Sequence, residues 1–144
     1  MSGPIDGRGR RSLYIKMTLM EPPRFLALFN QPMPKVTVGK RDRTTVPDQA
    51  LALLNDPFVT AMAKAWAERV VGGEATSESG RIRTMLEEAL GRPARPEEVT
   101  RLATLVSASA EARGVAGAER PTSVPLWQDV AHAIFLTQEF SHVE

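Results

Sequence analysis

A chain of 144 residues without cysteine suits one modest domain and excludes a disulfide framework, a thiolate metal site and a thiol nucleophile. Its net charge of +1 conceals an asymmetry: residues 1–45 hold nine Lys and Arg against three Asp and Glu, a balance of +6, and the remainder nine against fourteen, a balance of −5. No apolar run approaches the roughly 18 residues of a membrane span, and residues 1–20 lack the apolar centre of a signal peptide.

Residues 1–10 are rich in glycine and read as a tail. Gly7-Arg8-Gly9-Arg10-Arg11 is a single short copy of an RGG-like tract without aromatic partners, and it reads as solvated. Ser12 to Met20 mixes β-branched and aromatic residues in partial alternation, which predicts an extended arm packed on helices. A short helix is expected from Arg24 to Asn30, with Phe25, Leu28 and Phe29 on one face. Gln31-Pro32-Met33-Pro34 stops it, and a basic loop follows.

Lys40 to Phe58, KRDRTTVPDQALALLNDPF, is the stretch around which the chain is organised. Pro47 pushes Val46 toward extended backbone, Thr45 can cap a helix and Asp48 can complete a capping box. Ala50 to Leu54 is apolar nearly all round, which predicts a short helix buried on most sides. Asn55-Asp56-Pro57 then marks a break, with Asp56 as the cap and Pro57 in the first turn of the next helix.

Beyond it the pattern is helical. Val59, Met62, Trp66 and Val70 define a stripe that ends at Gly72-Gly73, and Ile82, Met85, Leu86, Ala89 and Leu90 a second that ends at Gly91. A third helix starts at Pro96, buries Val99, Leu102, Ala103 and Val106, and stops at Gly114. The last runs from about Val124 to Glu139, with Trp127, Val130, Ala131, Ile134 and Phe135 in the 3-4-7-8 pattern. The expected fold is all-α: a compact bundle of four to five helices over 46–144, preceded by an irregular, partly extended basic arm over 1–45 that reads as the remnant of a larger domain.

Chemistry is sparse. His132 and His142 lack the spacing of a metal site, and the Glu87-Glu88 and Glu97-Glu98 pairs read as charge on helix faces. The phosphate-loop, dinucleotide and nucleophile-elbow motifs are missing. No cofactor or metal is assigned to this chain. The polar constellation at the ends of the organising helix, Arg41, Arg43, Asn55 and Asp56, is the candidate binding site. It reads either as an anion or carboxylate site or as an internal clamp, in which Arg41 or Arg43 pairs with an acid such as Asp56; the clamp is preferred. Nucleic acid is disfavoured as a partner, although the basic arm leaves polyanion binding as an alternative.

RRSLY, LALFNQP, KRDRTTVPDQALALLNDPFV, RIRTMLEEALGRPARPEEV and WQDVAHAIFLTQEFSHVE, in that order over roughly residues 8–144, resemble the C-terminal part of the planctomycete cytochrome-c-associated family, domain of unknown function fifteen fifty-three. TTVPDQALALLND resembles that family's TTTPxQALALLND most specifically. Thr137 and Ser141-His142 depart from its usual ending. The resemblance implies a helical C-terminal module of a longer, exported bacterial protein, with upstream domains of that protein as partners and any haem held in one of them. It brings no catalytic residues. The alternatives are a share in an enzyme site completed by an upstream domain, redox or polysaccharide-processing, and polyanion binding through the arm.

Overall fold

The structure is a computed structural model and describes residues 11–18, 21–33, 35–40, 46–75 and 77–141. Among the described residues seven α-helices run in order: α1 (Arg24–Leu28), α2 (Pro47–Asn55), α3 (Pro57–Val71), α4 (Glu78–Leu90), α5 (Pro96–Arg113), α6 (Val124–Phe135) and α7 (Gln138–Ser141). Short 3-10 turns occupy Ser12–Tyr14 and Arg120–Thr122. Among the described residues there is no strand; of the extended arm expected over Ser12 to Met20, residues 19–20 lie outside the described residues, and the rest shows the first of these turns and an isolated Thr18–Glu21 bridge. The all-α expectation holds. The chain divides into two compact units, Met1–Phe58 and Val59–Glu144, and each is described by itself.

In the first unit α1 packs on α2, joined by a hydrogen bond that Gln49 Nε2 donates to the Leu28 carbonyl at 2.8 Å. Asn30, with φ 57°, turns the chain out of α1 two residues earlier than its pattern suggested. Phe25 stacks against Phe29 and meets Phe58 edge-on, with centroids 5.0 and 5.4 Å away, so these rings are half-buried. Val46 is extended (φ −120°, ψ 150°), as the following proline requires, and the Gln49 side chain, not Asp48, accepts its N–H at 3.4 Å. Thr45 lies outside the described residues.

The expectation that α2 is buried on most sides is not met. None of its residues is buried, and Leu51 and Leu54 are 55% and 49% exposed. A helix apolar all round needs cover on several sides, and the five-residue α1 packed on this one is too short to supply it.

The second unit holds the core. At the end of the first unit Asp56 Oδ1 accepts the Phe58 N–H at 2.8 Å, and Pro57 opens α3. This helix buries Val59, Ala63, Trp66, Ala67 and Val70, while Met62, expected on the stripe, stays at the edge. The small, wholly inaccessible Ala63 and Ala67 take the centre of the buried arc, and Met62 lies at its margin. Ser77 Oγ caps α4 by accepting the Gly80 N–H at 3.1 Å. Gly91 and Gly114, at φ 65° and 66°, end α4 and α5 in the left-handed region where a Cβ is strained. The Val115 N–H turns back to the Ala110 carbonyl at 2.9 Å, and its side chain packs on the core.

Trp66, Val70, Ile82, Met85, Leu86, Val106, Trp127, Val130 and Ile134 meet in one cluster, with Leu102 packed against it. Val59 is buried outside that cluster. The last helix, expected to continue to Glu139, stops at Phe135. Thr137 gives both its N–H (3.0 Å) and its hydroxyl (2.7 Å) to the Ile134 carbonyl, which removes the acceptor a continuing helix would use, and α7 starts afresh.

Candidate functional site

Of the four residues proposed from sequence, Arg41 and Arg43 lie outside the described residues. Asn55 and Asp56 form the α2–α3 junction. Asn55 Nδ2 donates to the Leu51 carbonyl at 3.1 Å, and Asp56 closes α2 with its N–H on the Ala52 carbonyl (2.9 Å) while opening α3 with its carboxylate. Both therefore have work as helix-end residues.

The second unit carries four arginines whose partners sequence reasoning missed. Arg81, only 5% exposed, donates Nε to the Ala75 carbonyl at 2.6 Å and Nη1 to the Pro121 carbonyl, and its guanidinium lies 5.5 Å from the centroid of the Trp127 ring. The available signal was its spacing: Arg81 and Met85 are four apart on one helix face. Arg113, in the last turn of α5, forms a two-pronged pair with Asp129 of α6 at 2.9 and 2.8 Å. That carboxylate holds the Arg113 guanidinium above its ordinary value.

Arg92, between α4 and α5, grips two carboxylates. Nε and Nη2 donate to the two Glu139 oxygens (2.5 and 2.6 Å), and Nη1 and Nη2 to those of Glu98 (3.0 and 2.6 Å). The Arg95 N–H adds a bond to Glu98 at 2.9 Å, the capping contact that starts α5. Glu139 and then Glu98 push the Arg92 guanidinium up. Arg92 first, and then the Arg95 N–H, pull the Glu98 carboxyl from its usual value near 4.5 down to about 2; Arg92 also lowers Glu139.

These depressed carboxyls make stability depend on pH. Between about pH 2 and 4.5 the unfolded Glu98 binds more protons than the folded one, so stability rises with pH across that window and falls as the group is protonated. The expected result is that Arg92→Gln melts below the native chain above pH 5, with the gap closing as pH approaches 2. Thermal melts across this range check it; a gap independent of pH contradicts the assignment.

The fourth arginine borders an open recess of about 360 Å³, walled by Met62, Ala65, Trp66, Phe135 and Phe140. Trp66 stacks on Phe135 (centroids 5.4 Å, planes 18° apart), and Phe140 meets Phe135 at a tilt (4.9 Å, 33°). On its rim Glu88 Oε2 accepts both the Trp66 indole N–H (2.8 Å) and Arg69 Nη2 (2.6 Å). Its wall combines apolar bodies with two convergent polar groups, the usual constitution of a small-ligand site. The described residues gather no group of three or more His, Asp or Glu able to hold a metal ion, and no described helix is long and apolar enough to cross a membrane.

Searches of the curated proteins and of the solved structures found no match. The profile of the family described as "PSD1: Protein of unknown function (DUF1553)" matches residues 3–106, from the basic arm through most of α5. The chain belongs to this family of proteins of unknown function.

Proposed function

We propose that the chain is a helical packing module of a longer, exported bacterial protein: Val59–Glu144 supplies a self-sufficient core, and Met1–Phe58 offers apolar surface to an adjoining domain of the same polypeptide. One observation carries this reading. The exposed large apolar side chains concentrate in the first unit, where Leu13, Tyr14 and Val36 are 82%, 69% and 62% exposed beside Leu51 and Leu54. Apolar side chains gathered in this way favour association over solvation. The family resemblance supports the exported setting and an upstream partner.

The expected result is that the chain by itself self-associates in sedimentation. Leu13→Lys combined with Leu51→Lys is expected to return it toward monomer without lowering its melting temperature, because both side chains already face solvent. A monomeric native chain, or a double variant that loses its cooperative melt, would refute the proposal.

A further inference from the structure

The recess on the second unit has an anchor as well as a wall. Arg69 is 68% exposed along its side chain and, among the described residues, spends one hydrogen bond, from Nη2 to Glu88. Arg92 shows what a guanidinium does in this same fold when carboxylates surround it: one edge, Nε and Nη2, takes Glu139, and the other, Nη1 and Nη2, takes Glu98. Arg69 leaves its Nε and Nη1 donors open. Glu88 is the more satisfied member of the pair, since one of its oxygens already accepts two donors, the Trp66 indole and Arg69. The rim is thus a neutral ion pair whose guanidinium keeps more unspent donors than its carboxylate keeps acceptor sites, which favours an incoming acceptor such as a carboxylate over a donor cation. Beside it Met62 and Phe140, 37% and 39% exposed, and the edge of the Trp66–Phe135 stack present an apolar bed.

We infer that this recess binds a small organic carboxylate, with its aromatic or short alkyl body on Met62, Trp66 and Phe140 and its carboxylate on the free donors of Arg69. The volume of about 360 Å³ limits the body to a compact one. Phe140 belongs to α7, whose neighbour Glu139 is fixed by Arg92, so that wall is held in place before a ligand arrives. The site does not depend on the packing role argued for the first unit.

The test is a titration of the full chain with 4-phenylbutyrate, followed by the nuclear magnetic resonance signal of the Trp66 indole N–H, with 4-phenylbutanol and 4-phenylbutylamine as matched neutral and cationic probes. The expected result is a saturable shift, with the carboxylate bound about fivefold more tightly than the alcohol and the amine weakest. Arg69→Gln should reduce the carboxylate to the affinity of the alcohol. Ala65→Glu, four residues before Arg69 on the exposed side of α3, should do the same by supplying a rival carboxylate. Both positions are exposed, so both variants are expected to melt as the native chain does. No saturable shift at millimolar probe, equal binding of acid and alcohol, tightest binding of the amine, or full carboxylate affinity in Arg69→Gln would each overturn the inference.

Discussion

Trp127→Ala is expected to destabilise the second unit by about 3–5 kcal/mol. Trp127 is wholly inaccessible and heads the fully buried side chains by volume. Its removal takes the centre out of a cluster that also holds Ile82, Met85, Val106 and Ile134, and the flanking helices cannot collapse to fill a void of that size. Two polar consequences add to the void. The indole N–H donates to the Arg120 carbonyl at 2.9 Å, which then keeps only the long bond from the Ser123 N–H at 3.4 Å, and the Arg81 guanidinium loses the ring it faces at 5.5 Å. Trp127→Phe separates these contributions, since it keeps most of the apolar volume and removes the donor. Its expected cost is about 1–3 kcal/mol. Urea unfolding of both variants measures the difference. A loss below 1 kcal/mol for the alanine variant would mean that Trp127 is not at the centre of the core.

Arg81 carries the second large effect. A guanidinium at 5% exposure without a carboxylate partner among the described residues persists because two backbone carbonyls, of Ala75 and Pro121, and the Trp127 face replace its hydration. Those carbonyls belong to the segment before α4 and to the Arg120–Thr122 turn, so one side chain ties three parts of the unit together. Arg81→Met keeps the length and the apolar stem but leaves both carbonyls without their donor. The expected cost is about 2–4 kcal/mol, and Arg81→Lys, which can reach one carbonyl at a time, should lose about half of that. Equilibrium unfolding at low and high salt checks the origin. The loss should not depend on salt, because the interaction is with dipoles in a dry site; a loss that salt abolishes would point to a surface ion pair.

The helix boundaries from α3 onward were legible because local chemistry sets them. Pro96 and Gly114 bound α5, Gly91 ends α4, and Asp56-Pro57 opens α3, each by a backbone requirement that one or two residues satisfy. The stripes of α4, α5 and α6 were legible because one face of each helix is buried against the others. Four features were not. The exposure of Leu51 and Leu54 depends on what lies around α2, whereas an all-apolar sequence says only that cover is needed. Arg81 binds carbonyls 6 and 40 residues away, and a backbone carbonyl has no sequence signature. Arg92 pairs with Glu98 and Glu139, 6 and 47 residues away, a choice made by the fold after the helices have met. The anion-or-clamp reading at Arg41 and Arg43 stays a reading of sequence, while its other half, Asn55 and Asp56, is built into a helix junction. The recess went unseen because its walls, Met62, Trp66 and Phe140, come from α3 and α7, and α7 itself was taken as the end of a longer helix.

The reading of the chain as a core that carries an apolar surface for another domain is tested most directly by native-state hydrogen exchange on the full chain. The account predicts that amides in the centres of α4, α5 and α6 exchange together, at the rate set by global unfolding of the second unit. Those of α2 should exchange far faster, because none of its residues is buried and Leu51 and Leu54 face solvent. Protection in α2 equal to that in α5 would contradict the account, since Leu51 and Leu54 would then already be covered within the chain and nothing would be left for a neighbouring domain to bury.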